Sequence, residues 1–413
     1  MRKQRLSYWK KLCLLCASLW LCFPFTLHAS IIETTIGTAV VNDATAAYFN
    51  PAALVLLKNK QIIALGSVAN FKNHFNGQST LSASGYTLSG SGSANANTNF
   101  YLPSLYIGIP TLNDNKLSFG VAIIYNYFAR TLPDDSIARY VLSDNRIQDI
   151  NFVPAIGFKI NNNFSLGFGL NVTSVDRRSE PISGFPNIGI NDAKSINETS
   201  GTSIGGDIGC LIRISQATVL GLNYRSAITY QMEGKSIYEG TPNISADYKF
   251  KFWTPARAVF SFNHFLTPKL GLIGTFQYIQ WNIMKSTNSH GIATRLLAAP
   301  VVIANLNSPV HLRNTWLLTL GAHYHITPQW VIRGIVNYTQ SPSNGSYQIS
   351  NGDEYILAFS TGYKFNKNIT IDAGYGHSFI NTKNISIANA TNITSGTNNS
   401  SRNAFSVKLT VNV

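Results

Sequence analysis

Ala404-Phe405-Ser406-Val407-Lys408-Leu409-Thr410-Val411-Asn412-Val413 closes the chain, and its alternation decides the fold. Successive strand residues point to opposite sides. Phe405, Val407, Leu409, Val411 and Val413 therefore make an apolar face, and Ala404, Ser406, Lys408, Thr410 and Asn412 a small and polar one. The same period of two recurs upstream. Leu117, Phe119, Val121, Ile123, Tyr125 and Tyr127 oppose Ser118, Gly120, Ala122 and Asn126. Phe164, Phe168 and Val172 oppose Ser165, Gly167, Gly169 and Asn171, and Trp316, Leu318, Leu320, Tyr324 and Ile326 oppose Thr315, Thr319, His323 and His325. About fourteen such segments can be counted by this alternation. They lie near 60–74, 99–110, 117–129, 149–161, 164–177, 203–215, 218–233, 253–266, 269–285, 312–326, 329–341, 354–365, 368–381 and 403–413.

Their connections alternate in length. Short links such as Asn161–Asn163, Thr267–Lys269 and Thr327–Gln329 take turns with long polar ones such as Asn76–Thr98, Arg178–Thr202 and Thr382–Ser400. Short turns on one side, long loops on the other and an even strand count describe an all-β, 14-stranded antiparallel transmembrane β-barrel of the Gram-negative outer membrane. In lipid every backbone N–H and C=O needs a partner, and a closed sheet supplies one for each. Aromatics near strand ends (Tyr101, Tyr125, Tyr127, Trp253, Tyr278, Trp281, Trp330, Tyr338) suit the two interfacial girdles. Such a barrel closes its own edges and needs no second copy, so a monomer is expected.

Composition agrees. Charged residues make up only 12% of the chain, as do aromatics, and the net charge is +14. A nucleic-acid binder would cluster its Lys and Arg on one face, and no such cluster is present. Five of the basic residues (Arg2, Lys3, Arg5, Lys10, Lys11) precede the apolar run Leu12–Leu27, a signal-peptide pattern expected to end at Ala29. Three of the four cysteines fall in this leader, leaving Cys210 and no disulfide. No Gly-x-Ser-x-Gly, His-Glu-x-x-His or phosphate loop occurs, so neither an enzyme nor a cofactor is expected. His323 and His325 share one strand face and read as lumen lining rather than as a metal site.

One stretch breaks the period. Asn42–Leu57 runs through small residues into Tyr48 and Phe49 and then into a helix start, with Asn50 as N-cap, Pro51 as first residue and Ala52 following. It is too short to be stable alone and must pack inside something larger. The expected division is leader 1–29, an N-terminal hatch at 30–58 and the barrel at 59–413. An open pore needs no such plug. Ile124, Phe128, Ile273, Leu317, Val331 and Ile335 are expected to face inward, which suits an apolar cargo. The competing readings are a general porin or a surface adhesin using its Ser/Asn/Gly-rich loops.

These residues resemble the FadL-type family of outer-membrane transporters for long-chain fatty acids and other hydrophobic compounds. The resemblance rests on Asn42-Asp43-Ala44 with Asn50-Pro51-Ala52, on Pro103-Ser104-Leu105-Tyr106-Ile107-Gly108-Ile109-Pro110, on Phe168-Gly169-Leu170-Asn171 and on Asn223-Tyr224-Arg225-Ser226. It continues through Thr327-Pro328-Gln329-Trp330 and Gly362-Tyr363-Lys364-Phe365-Asn366-Lys367. It implies a hatch acting as gate, a lumenal ligand site, and release by hatch movement or through a kinked third strand. Phe128 stands where that kink would carry a glycine. It also implies basic residues for a carboxylate, which map onto Arg313 and, beside Asp176, onto Arg177 and Arg178. The final strand resembles the signal read by the barrel assembly machinery, with Val413 in place of its terminal aromatic.

Overall fold

The computed structural model describes residues 30–83, 85–111, 116–141, 144–240, 243–297, 299–310, 312–343, 351–388 and 392–413. The leader proposed for residues 1–29 lies outside them. Twenty strands form an antiparallel wall with a ring of 14 staves. The first stave is β1 (Gln61–Ala83), and the second is split into β2 (Tyr86–Tyr101) and β3 (Ser104–Pro110). The third to fifth are β4 (Leu117–Thr131), β5 (Asp144–Lys159) and β6 (Phe164–Glu180). A short β7 (Ile182–Phe185) leads to the sixth stave, β8 (Ile190–Arg213).

The next four staves are each broken in two. They are β9 (Thr218–Arg225) with β10 (Ile228–Tyr238), and β11 (Asn243–Thr254) with β12 (Arg257–Phe265). Then come β13 (Leu270–Ile279) with β14 (Ser286–Leu296), and β15 (Ala299–Pro309) with β16 (Thr315–His325). The ring ends with β17 (Trp330–Thr339), β18 (Glu354–Lys364), β19 (Ile369–Ala388) and β20 (Asn392–Asn412). It closes where β20 pairs with β1, from Gln61 opposite Asn412 to Leu81 opposite Asn392.

The apolar face of each stave points outward. Phe119, Phe152, Phe168, Leu222, Phe276, Leu318, Leu357, Val407 and Leu409 are all exposed. In water this band would be costly; against lipid tails it costs nothing. Its partner face turns inward and carries Ser118, Ser165, Asn223, Thr319 and Ser406, all buried.

Three features differ from the expectation. The long outer links are mostly strand. The β1–β2 hairpin stays paired up to Ala83 and Tyr86, and β19 and β20 up to Ala388 and Ile393. Trp281 does not join a girdle. It is 2% exposed and packs with Ile279 and Met284, because stave nine bends there into the 3₁₀ turn Trp281–Ile283. The third stave keeps its ladder to stave four unbroken. β4 pairs with β5 without interruption from Leu117–Phe158 to Arg130–Asn145, and the irregularity falls instead in stave two, at Leu102–Pro103. Phe128 fits this: without a glycine the strand has no local reason to bend.

Inside the wall, residues 30–57 form a compact plug at the end that carries the short turns. It consists of the helix Ile31–Ile36, the 3₁₀ turn Thr38–Val40, a helical turn Ala46–Phe49 and the 3₁₀ helix Pro51–Leu56. Asn50 caps the last of these as expected, its side chain accepting from Ala52 N at 3.2 Å, with Pro51 at the first position. The helix is 3₁₀ rather than α.

Candidate functional site

Glycines make room for the plug. A Cβ on Gly167 would lie 2.2 Å from Ala52 N, on Gly209 2.0 Å from Asn50 Oδ1, and on Gly221 1.9 Å from Ala39 O. Gly108, Gly120 and Gly157 meet Leu57, Ala47 and Pro51 in the same way. The inward faces of staves two to seven are thus hollowed to a cradle. Tyr48, Phe49, Leu54 and Leu57 are almost wholly buried in it, each contributing about 1.5–3 kcal/mol. Asn50 is fully used: its Nδ2 donates to Ala39 O at 2.7 Å and to Cys210 O of the wall at 3.1 Å. A buried amide so satisfied fixes one position of the plug against stave six.

Charge fixes the opposite side. Lys408 on β20, 2% exposed, lies 2.9 Å from Asp43 Oδ2, 3.5 Å from Glu33 Oε1 and 3.9 Å from Asp372 Oδ2. Arg333 reaches Asp372 at 3.0 Å. Burial pushes the Glu33 carboxyl up to about 7, against the pull of Lys408. Burial also opposes the Asp43 charge, but Lys408 and hydrogen bonds from Thr45 outweigh it and hold that carboxyl below its usual range.

Above Tyr48 lies a cavity of about 130 Å³. Its walls are mostly apolar: Phe100, Phe128, Ile147, Ile228, Tyr230 and Phe252. Phe100 and Phe128 pair at 5.1 Å, and Tyr230 stacks on Phe252 at 4.7 Å. Polar side chains interrupt these walls, among them Asn126, Asp149, Asn151, Asn171 and Gln277, and two of them are arginines on one rung. Arg225 ends β9, Arg257 begins β12, and they are direct ladder partners. Pro255, which has no N–H to give, splits the ladder just above them. Arg225 Cζ lies 3.8 Å and Arg257 Cζ 5.6 Å from the Tyr48 ring centroid. Arg225 is neutralised by Asp207 at 2.7 Å and donates to Tyr48 O at 2.5 Å. Arg257 forms no ion pair among the described residues, and its buried Nε has no hydrogen-bond partner. The side chain is half-buried and shares the field of Asp207 with Arg225; a bound carboxylate would give it an anion of its own.

The residues singled out in the sequence are distributed over these features. Tyr48 floors the cavity, and Phe49, Asn50, Pro51 and Ala52 are buried in the plug. Phe128 lines the cavity. Ile124 packs with the plug residues and Ile273 with Ile31, while Ile335 shares Ile273's cluster. Leu317 and Val331 are half-buried and touch none of the apolar clusters.

The three carboxylate candidates separate. Arg177 is buried, with Cζ 4.2 Å from the Phe250 centroid and its guanidinium donating to Tyr248 Oη at 3.3 Å and Ser179 Oγ at 2.7 Å. Arg178, one residue on, takes the other face and bonds Glu180 and Glu198 at 2.7 Å each. Arg313 sits at the break in stave ten, donating to Ser341 O at 3.0 Å, and is not part of the cavity wall. His323 bonds Asn263 Oδ1 at 3.1 Å and packs on Phe265; no cluster of metal-ligating side chains occurs among the described residues. Sequence reasoning missed Arg225, Arg257 and Asp207; Pro255 inside an apparent strand was the available signal.

Residues 35–413 match the family described as outer membrane protein transport protein (OMPP1/FadL/TodX). Outer membrane protein P1 of Haemophilus influenzae is 21% identical over 381 residues, covering 82% of this chain and 81% of that one. The crystal structure of a Pseudomonas aeruginosa FadL homologue superposes with a TM-score of 0.78 at 20% identity, over 91% of this chain and 95% of the other. The Pseudomonas putida toluene transporter TodX gives 0.68 at 14%, over 93% and 98%.

Proposed function

The chain belongs to the OMPP1/FadL/TodX family of outer-membrane transport proteins, and from that premise we propose that its cargo is a hydrophobic acid, long-chain fatty acids among them. It is a transport channel of the outer membrane and not an enzyme. The observation that supports an acid is Arg257, a half-buried arginine at the edge of the cavity that makes no ion pair among the described residues and whose enclosed Nε has no hydrogen-bond partner. A carboxylate there would gain a charge-assisted hydrogen bond in a site poor in water. The chain of a longer acid would extend outward past Met232, Phe250, Ile292 and Leu306, an apolar cluster continuous with the cavity wall. Passage is passive in this reading: the cargo moves down its gradient, and the plug shifts to release it toward the periplasm.

The test compares an acid with its hydrocarbon. Arg257→Gln is expected to weaken laurate binding about tenfold or more and dodecane binding much less, as read by equilibrium titration of the purified barrel. An equal loss for both would remove the acid from the proposal and leave a hydrocarbon channel. Arg313→Ala serves as a comparison; a larger effect there than at Arg257 would move the carboxylate to stave ten.

A further inference from the structure

Arg257 Nε is not the cavity's only unmatched polar atom. Asn126 on β4 also lines it, and Asn126 Oδ1 is buried without a hydrogen-bond partner. The orientation of this amide is set by its neighbour: Nδ2 donates to Asp149 Oδ1 at 2.7 Å. Turning the amide over would aim its oxygen at a carboxylate, so the carbonyl is the free end. Asn151 Nδ2 also donates to Asp149 Oδ1, so both of these neighbouring amides spend their donors on one carboxylate. Asp149 itself lines the cavity and makes no ion pair among the described residues. The cavity therefore holds an unmatched donor on stave eight and an unmatched acceptor on stave three. Both residues line a space walled by aromatic and branched aliphatic side chains and by the polar Asn151, Asn171 and Gln277.

Orphaned buried polar atoms are rare and call for a reason. A single ligand would satisfy both if it carried an acceptor at one end and a donor at the other. We propose that the cavity above Tyr48 is a two-point site for a hydroxylated hydrophobic acid, its carboxylate on Arg257 and its hydroxyl donating to Asn126. The proposal rests on the acid reading of Arg257. It adds the second contact and a size. A cavity of about 130 Å³ is close to the roughly 150 Å³ that accommodates a benzene ring. The part of the cargo between its two polar groups is thus about one ring, and the four aromatic walls favour a flat one. A site built to meet a hydroxyl discriminates against the analogue lacking it, because the acceptor is then desolvated for nothing.

The experiment titrates the full-length barrel in detergent with three probes: 3-(4-hydroxyphenyl)propanoate, 3-phenylpropanoate and 4-ethylphenol. Both contacts together predict that the hydroxy acid binds about tenfold or more tighter than either of the others. Asn126→Ala is expected to bring the ratio of hydroxy acid to 3-phenylpropanoate down to about one, a change in ratio that a loosened barrel would not produce selectively. If the two acids bind equally and both exceed 4-ethylphenol, a water serves Asn126 and the two-point site is overturned while the acid reading stands. If 4-ethylphenol matches the acids, Arg257 does not bind a carboxylate and both readings fall. The wild-type comparison needs no variant, so a misfolded Asn126→Ala protein would not shield the proposal.

Discussion

Arg225 and Arg257 share a rung of the wall, yet Asp207 serves only the first. Their inward direction was hidden in the sequence by a change of parity. In stave seven, Asn223 and Arg225 face inward below the break, and Ile228, Tyr230 and Met232 above it. Stave eight does the same, from Val259 below to Phe252 above. A strand read as unbroken from 253 to 266 puts Arg257 on the side of Trp253, away from the lumen. Asn50 and Pro51 were legible because a cap is local chemistry. The glycines that receive them were not, since at the sequence level they merely looked like the small residues of a strand's less apolar face. Gly209 carries a direct test. A side chain there must displace Asn50, at a cost of about 1–3 kcal/mol for overpacking. Gly209→Val is expected to raise the conductance of the barrel in planar bilayers severalfold. Gly206→Val, where a Cβ meets nothing within 4 Å, serves as the matched control and leaves it low.

Between the plug helix Ile31–Ile36 and staves eleven to fourteen, three carboxylates (Glu33, Asp43, Asp372) meet two cations, Lys408 and Arg333. Protonation of Glu33 balances the count, which agrees with its carboxyl standing at about 7. The sign of the linkage follows. The docked plug holds this proton more tightly than the undocked one, whose Glu33 titrates near 4.5. Glu33's contribution to docking is complete below about 4.5 and is lost as the pH rises through about 7. A shift of that size corresponds to about 3 kcal/mol. Asp43 works the other way, but only below its already low value, so it does not offset Glu33 in this window. Conductance is therefore expected to rise between pH 5 and pH 8, and Glu33→Gln to abolish that rise. A pH-independent wild type would show that Glu33 stays charged or that the plug does not move. At this scale the legibility of the strands has a physical limit as well. Within the bilayer one face meets lipid and the other the lumen, so apolar and polar residues alternate. Beyond it the outward faces of β1, β2, β19 and β20 no longer need apolar residues, and in Asn70–Gln78 only Phe71 and Phe75 mark the inward face, which Asn73 and Gly77 share.

The whole molecule is a wall that closes without its plug. β20 and β1 pair over their length, and each neighbouring stave is laddered to the next, so no backbone edge depends on residues 30–57. What the plug is expected to contribute is occlusion: it meets the wall all round, from Gln61 of stave one, which accepts from Ala44 N at 2.9 Å, to Lys408 of stave fourteen. Deleting residues 30–58, with the leader joined directly to Asn59, is expected to leave a folded barrel. Its native form would still migrate differently before and after boiling on a gel. The deletion removes the partners of Lys408 and bares the glycine cradle, but both then face water in the lumen rather than a dry interior, so their desolvation cost disappears with the plug. Small-solute leakage in liposomes is expected to rise sharply, and the preference for acids over hydrocarbons to weaken, because Tyr48 no longer floors the cavity beside Arg257. A folded barrel with unchanged leakage would mean that closure lies at the outer mouth. There, residues Leu132, Ala138 and Val141 pack against Phe75, Ala94, Ile385 and Ile387, and Arg139 ties the cover to Asp192 at 2.7 Å. The two covers predict different variants: Asp192→Ala would then open the pore where deletion of the plug had not.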